Sequence, residues 1–132
     1  MTNGSQCLKK TPLHATHLES NAKMTEFCGW DMPVQYPNGI IAEVRAVRES
    51  AGIFDVSHMG RIEFGGPRSK YFLGTVLSAN LMALKVGRSK YNFICNEAGG
   101  IIDDAMIYRI EDERFLLVVN AGNTDEDLEW IT

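Results

Sequence analysis

Asn96-Glu97-Ala98-Gly99-Gly100-Ile101-Ile102-Asp103-Asp104 runs on through Ala105-Met106-Ile107-Tyr108-Arg109-Ile110. After the charged stretch Glu111 to Arg114 comes Phe115-Leu116-Leu117-Val118-Val119-Asn120. With Tyr91 to Cys95 before it, this region reads as three strands: Tyr91 to Cys95, Ile101 to Ile110 and Phe115 to Asn120. The Gly99-Gly100 turn and the charged stretch are short connections, and short connections between neighbouring strands mean antiparallel pairing. The last strand is apolar on both faces, so it is expected to be central and covered on both sides.

Working outward, Asn123 or Thr124 suits a helix N-cap. Asp125, Glu126 and Asp127 place negative charge in the first turn, and Leu128 and Ile131 begin an apolar stripe. About eight residues remain there, fewer than the twelve or so that a lone helix needs, so the chain is expected to be truncated within its last helix. Towards the N-terminus, Pro67 suits a first helical position, with Tyr71, Phe72 and Val76 on a helix to about Leu77 and connecting structure to Lys90. Ile53 to Val56 and Arg61 to Phe64 read as a strand or bent hairpin, with Gly60 marking a bulge or a close backbone approach. Ile40, Ile41, Val44 and Val47 predict a helix over Ile40 to Ser50 that stops by Gly52. Residues 11 to 38, with Pro12, Pro33 and Pro37, read as a short helix near His14 to Asn21 and then an irregular loop. Residues 1 to 10 read as a flexible tail and 11 to 132 as one domain. The expected class is α+β, a mainly antiparallel sheet with packed helices, ferredoxin-like or related.

Composition narrows the function classes. At 132 residues the chain can bury a real core, and 45% hydrophobic with 23% charged residues is ordinary for a soluble domain. No run of eighteen apolar residues exists to cross a bilayer. Thirteen Lys plus Arg against seventeen Asp plus Glu give a net charge of -4, so nucleic acid is an unsuitable partner. Cys7, Cys28 and Cys95 are odd in number and form no C-x-x-C pair, which argues against a disulfide framework or a zinc site and for a reduced, intracellular setting. Cys28 and Cys95 are expected to pack as small hydrophobes. There is no secretory signal and no arginine before Arg45. The compartment is therefore read as bacterial cytoplasm or, for a mature protein that has lost its transit peptide, mitochondrial matrix.

Alternation along Ile101 to Ile110 puts Asp104 on one face with Ile102, Met106, Tyr108 and Ile110, and Asp103 on the other with Arg109 as an available cation. A carboxylate on an apolar, aromatic face either has a raised pKa or meets a ligand that donates protons to it. The alternative is that Asp104 pins the Gly-Gly turn through backbone N–H groups. Tyr91 shares a face with Phe93 and Cys95, and hairpin pairing brings it near the Asp104 strand. Such an aromatic wall suits a flat heterocycle, the alternative being a plain core tyrosine. His14 and His17 lack a ligand-spaced partner for a metal, and His58 reads as a hydrogen-bonded structural histidine rather than a base. The glycine pairs match no nucleotide loop.

Several motifs then stand in one order: Thr11-Pro12-Leu13 with His17, Ala22-Lys23-Met24, Phe27-x-Gly29-Trp30-x-Met32-Pro33-Val34-Gln35-Tyr36, Ala46-Val47-Arg48-Glu49-Ser50-Ala51-Gly52-Ile53-Phe54-Asp55-Val56-Ser57-His58-Met59-Gly60, Asn96-Glu97-x-Gly99-Gly100-Ile101-Ile102-Asp103-Asp104, and Val119-Asn120-Ala121-x-Asn123. From about Thr11 to Thr132 the chain resembles the start of the glycine cleavage T-protein family. The resemblance implies the N-terminal part of a multi-domain, folate-binding transferase. Such an enzyme moves the methylene of a lipoyl-bound aminomethyl group, carried by the H-protein, to tetrahydrofolate and releases ammonia. It implies Asp104 as the catalytic acid, with Met59, Tyr91, Asp104 and Tyr108 facing the cofactor tetrahydrofolate. Asn120 and Asn123 match the motif without an assigned role.

The resemblance also has departures. Relatives are over twice as long and complete the pocket with later residues, so this chain alone is expected to bind folate weakly and be inactive. Arg68 to Lys90 matches poorly, and Cys28 replaces a small apolar residue. A folate-dependent demethylase, or a non-catalytic folate-binding or iron-sulfur assembly module of the same superfamily, would share these motifs. An unfinished helix and an uncovered sheet also predict self-association.

Overall fold

Cys28 and Gly29 both take left-handed backbone, with φ of 50° and 79°. This two-residue turn folds Lys23–Phe27 (β1) back onto Trp30–Gln35 (β2) as an antiparallel hairpin. Two successive positive φ values match the right-handed twist of paired strands. The irregular loop expected after the first helix is thus a hairpin. Its signals were masked because Cys-Gly is not a usual turn pair and because Pro33 lies inside β2, where a proline argues against a strand. Cys28, expected to be packed, is exposed at the turn, whereas Cys95 is half-buried.

The computed structural model describes residues 7–132 and divides into two compact units, one ending at His58 and the other running from Met59 to Thr132. The first holds His14–Glu19 (α1), the hairpin and Gly39–Glu49 (α2). Residues 1–6 of the expected tail lie outside the described residues. Lys9, at its end, is held to the hairpin, its N–H donating to Gly29 O at 2.8 Å and its carbonyl accepting from Asp31 N–H at 2.9 Å. The helical spacing of Ile40, Ile41, Val44 and Val47 is realised in α2, yet no residue of that helix is buried. Ile53 to Val56 forms no strand. Ile53 is 97% exposed, and a strand without a pairing neighbour is not stable.

The second unit contains Gly60–Gly65 (β3), Ser69–Val76 (α3), a 3₁₀ turn at Leu81–Ala83, Ser89–Cys95 (β4), Ile101–Glu111 (β5), Arg114–Val119 (β6) and Thr124–Ile131 (α4). Its four strands are antiparallel in the order β3-β6-β5-β4. The sheet is antiparallel as expected, but the order β-α-β-β-β-α, with the first strand at an edge, departs from the β-α-β-β-α-β of a ferredoxin-like unit. Three cross-strand rows build one face: Gly60, Val119, Ala105, Asn92; then Ile62, Leu117, Ile107, Lys90; then Phe64, Phe115, Arg109. Leu73 and Leu77 of the α3 region, Leu81, Leu84 and Ile131 of α4 close over that face with Ile94, Ile107, Phe115, Leu117 and Val119. Expected as central, β6 is flanked on both edges. It is covered on one face only, since Leu116 and Val118 on the other face are half-buried.

Gly60 shows why its position admits no side chain. A Cβ there would lie 2.4 Å from Thr124 Oγ1 and 2.6 Å from Val119 Cγ2, so the close approach expected from sequence is made by the start of α4. Gly60→Ala should destabilise the chain by about 1–3 kcal/mol through overpacking. Urea unfolding checks this, and a loss below about 0.5 kcal/mol, the size of a neutral surface change, would contradict the packing.

Candidate functional site

The sheet's other face carries the residues singled out from the sequence. Register puts Arg61, Val118, Met106 and Tyr91 in one row, and Glu63, Leu116, Tyr108 and Ser89 in the next. Asp104 pairs with Phe93 in the row on the opposite side of Met106. Met59 and Asn120 lie at that same end, each one residue beyond the paired Gly60 and Val119. Side chains directly opposite stand about 5 Å apart, and alternate positions along a strand are about 7 Å apart. Asp104, Tyr91 and Asn120 are therefore brought close, whereas Met59 lies across β6, about 10 Å from Asp104, and Tyr108 stands two rows, about 13 Å, from Asp104 along β5.

Asp104 is exposed, and its Oδ1 accepts from Asn120 Nδ2 at 3.0 Å. The alternative role, pinning the Gly-Gly turn, is taken by another residue. Asn96 Oδ1 accepts from Gly100 N–H at 2.7 Å and Ala98 N–H at 3.1 Å. Tyr91 is no core tyrosine: it is 55% exposed and packs edge-on against Phe93 at 5.5 Å. Partial burial, then the hydrogen bond to Asp104 and the negative charges of Asp104 and Asp103, raise its phenol pKa.

Asp103 points the other way and is 5% exposed. Arg109, the cation expected beside it, is engaged elsewhere: Nη1 donates to Leu84 O at 2.8 Å, Nη2 reaches Asp112 Oδ1 at 3.0 Å, and the guanidinium lies over Phe115. Six residues along a strand is about 20 Å, too far for a pair. Asp103 is held instead by Asn120, whose Nδ2 reaches Oδ1 at 2.9 Å and whose backbone N–H reaches Oδ2 at 3.3 Å. Burial raises its pKa, but bonds from Asn120, Asp127, Asn123 and the Asp104 N–H outweigh that and leave it lowered. Asp127 is fully buried on α4. Burial, then Asp103 and the charges of Asp103 and Glu126, push its pKa up to about 7.

Sequence reasoning matched Asn120 to the family motif without giving it a role, and did not single out Asp127. Asp127 was read as first-turn charge and Leu128 as the start of the buried stripe, but the buried pair is Asp127 and Ile131, with Leu128 43% exposed. The i,i+4 spacing of Asp127 and Ile131 was the available signal. Asn123 stands at the N-cap position without a side-chain cap bond, and Thr124 Oγ1 donates to Asn120 O at 3.0 Å.

The first unit has its own polar cluster. His17 Nε2 lies 2.8 Å from Asp55 Oδ2, and its Nδ1 lies 2.8 Å from the Tyr36 hydroxyl. Burial acts to raise the Asp55 pKa, yet Thr11, His17 and Ser57 bring it well below the usual carboxylate range. His14 pairs with Asp31 at 2.8 Å. Sequence spacing could not reveal these long-range acidic partners, which tie α1 to β2 and to the segment after α2. No metal-ligating cluster forms among the described residues. His58, expected to be hydrogen-bonded, instead meets Phe27 edge-on at 5.7 Å, with Nδ1 buried and without a partner among the described residues.

Residues 13–132 match the GCVT N-terminal domain family. The chain is 52% identical over 126 residues to an aminomethyltransferase of Desulforamulus reducens and 50% identical over 127 residues to one of Symbiobacterium thermophilum. Each match covers 96% of this chain and 34% of the relative. The crystal structure of glycine cleavage system aminomethyltransferase T from Bartonella henselae superimposes with a TM-score of 0.84 at 39% identity, over 94% of this chain and 34% of that one. The fold is thus the N-terminal part of the aminomethyltransferase fold. The chain belongs to the glycine cleavage T-protein family and spans about a third of the length of the curated relatives it matches.

The aspartate pair gives the stability a direction with pH. Asp127 keeps its proton to about pH 7 when folded but only to about pH 4 when unfolded. The folded state therefore binds more protons between those values, and its contribution, complete below about pH 4, is lost as pH rises through 7. Asp103, with its lowered pKa, contributes in the opposite sense and is lost only at acid pH. Denaturant midpoints should fall between pH 4.5 and 7.5 more steeply in the native chain than in Asp127→Asn. Parallel profiles for the two proteins contradict the assignment.

Proposed function

We propose that this chain supplies the acid-bearing wall of a tetrahydrofolate-dependent aminomethyltransferase of the glycine cleavage system. The reaction moves the methylene of an aminomethyl group, carried on the lipoyl arm of the H-protein, to tetrahydrofolate and releases ammonia. One observation carries this reading: the carboxylate of Asp104 stands exposed on an apolar and aromatic sheet face, steadied by Asn120 and free of the preceding turn.

The residues present fit a reduced pterin. Its ring is flat and carries N–H donors on an edge, and this face offers Tyr91, Met106 and Phe93 as surface with a carboxylate as acceptor among them. When bound, tetrahydrofolate would supply the two nitrogens that receive the methylene in place of its bonds to the lipoyl sulfur and to the departing ammonia. Asp104 accepts hydrogen bonds from the ring edge and holds a fixed negative charge where positive charge develops as ammonia leaves. Much of its contribution is placement, since fixing reacting groups within contact distance removes an entropic barrier. Met59, at the end of β3 and across β6 from Asp104, and Tyr108, two rows off along β5, meet the outlying parts of the ligand.

The lipoylated H-protein is the macromolecular partner in this reading, and relatives of bacterial origin favour a cytoplasmic setting. No helix among the described residues is long and apolar enough to cross a membrane. As one wall of a pocket, the 132-residue chain should bind folate weakly and turn over little.

The test is a graft of this segment into the corresponding third of the Desulforamulus reducens aminomethyltransferase, assayed with lipoylated H-protein and tetrahydrofolate. Asp104→Asn and Asp104→Ala should each lower kcat by about 100-fold or more. Near-normal turnover in both would refute the catalytic role. Calorimetry with 5-formyltetrahydrofolate should show the free chain binding at least about tenfold more weakly than the graft, a difference of about 1.4 kcal/mol.

A further inference from the structure

Asp127 is the most deeply enclosed charged residue type in the second unit. It is 0% exposed, and neither carboxyl oxygen has an N–H or O–H donor among the described residues. An ionised carboxylate without donor or counter-ion in such a place is severely destabilising. As the neutral acid it has one hydrogen to give; its backbone N–H donates to Asn123 O at 2.8 Å and Asn123 N–H to Asn120 O at 3.2 Å, a turn that carries it towards Asp103, the buried acceptor that Asn120 also binds. The other groups facing the pair are Glu126 from α4, Asp104 from β5, and the uncharged side chains of Asn120 and Asn123 from the connecting turn. The Lys and Arg ion pairs of this unit, Arg109 with Asp112 and Arg114 with Glu63 and Glu111, involve neither Asp103 nor Asp127.

Asn120 links this pair to the exposed face. Its side-chain nitrogen has two hydrogens and two carboxylates within reach, Asp103 Oδ1 at 2.9 Å and Asp104 Oδ1 at 3.0 Å. Because both neighbours are acceptors, the amide must turn its nitrogen between them. The anionic state of Asp103 therefore sets the amide, and the amide holds Asp104.

We propose that Asp127 and Asn120 are positioning residues: Asp127 is buried as a neutral acid, gives its proton to a hydrogen bond with Asp103, and through Asp103 and Asn120 fixes the carboxylate of Asp104. The functional consequence rests on the reading of Asp104 as the working acid; the hydrogen-bonded chain itself does not. Loss of the Asp127 proton sets two carboxylates against each other in the core. The start of α4 and the turn from Asn120 to Asn123 must then shift, and Asn120 releases Asp104. The site is accordingly held in order by one proton stored on its buried side.

Carboxyl ¹³C NMR of the 132-residue chain, titrated from pH 4 to 8.5, tests this without any ligand. Asp127 should titrate near neutrality, and the Asn120 side-chain amide and Asp104 carboxyl resonances should report the same transition. Asp127→Asn, whose amide still donates to Asp103, should keep the acid-form resonances of Asn120 throughout and abolish the transition, whereas Asp127→Leu should shift them at every pH. Titration of Asp127 at the pH of an ordinary aspartate, or an Asn120 amide indifferent to it, overturns the proposal. So does survival of the transition in Asp127→Asn. The two readings separate cleanly: Asp104→Asn should leave the Asp127 titration in place. If it also leaves 5-formyltetrahydrofolate binding by the graft unchanged, the folate reading fails and the proton-sharing pair stands.

Discussion

Successive side chains of a strand must go to opposite faces of its sheet, and in β5 that constraint divides two adjacent aspartates between a sealed core and an open surface. The core face has Leu73, Ile94, Ile107, Phe115 and Leu117 fully enclosed. Burying such side chains is favourable by roughly 1.5–3 kcal/mol each, so a slip of one residue in register would sacrifice the whole layer. The register is therefore rigid, and the placement of Asp103 and Asp104 follows from it. Asp103 enters the core because its strand neighbours must.

A buried anion has to be satisfied, and this requirement organises the surrounding turn. Asn120 lies just past the end of β6, Asn123 stands at the start of α4 and Asp127 lies one turn further on, all converging on Asp103. Gly60 lets the first residue of α4 come against β3, which a Cβ would prevent. Helix docking, close glycine packing and carboxylate satisfaction are thus one arrangement, and the exposed acid is held at its outer edge through the same asparagine. The open face keeps half-buried Leu116 and Val118 beside exposed Tyr91 and Tyr108, and it is on this surface that the proposed ligand would lie.

Much of this was legible beforehand. The three strands, their antiparallel pairing, the helices after Pro67 and Asn123, and the opposition of Asp103 to Asp104 all follow from period-two and helical spacing. The β1–β2 hairpin was not, because its turn uses a cysteine at positive φ and its second strand contains Pro33. The Ile53 to Val56 strand failed for the converse reason: β-branched and aromatic residues favour an extended chain, but only a neighbouring strand makes one a sheet member. His17 with Asp55 and His14 with Asp31 are separated by 38 and 17 positions, distances over which no spacing rule operates.

Alternation, composition and motif order thus determined, from the sequence alone, the class of fold, the family resemblance and the face on which each aspartate lies. Tertiary structure alone decided what meets each aspartate: Arg109 is drawn away to Leu84 and Asp112, Asn120 bridges the two carboxylates, and Asp127 is brought in from a helix twenty-four positions later. The physical reason is that face and period are local properties of the backbone. A carboxylate's charge state and partners depend on which distant groups the folded core carries to it.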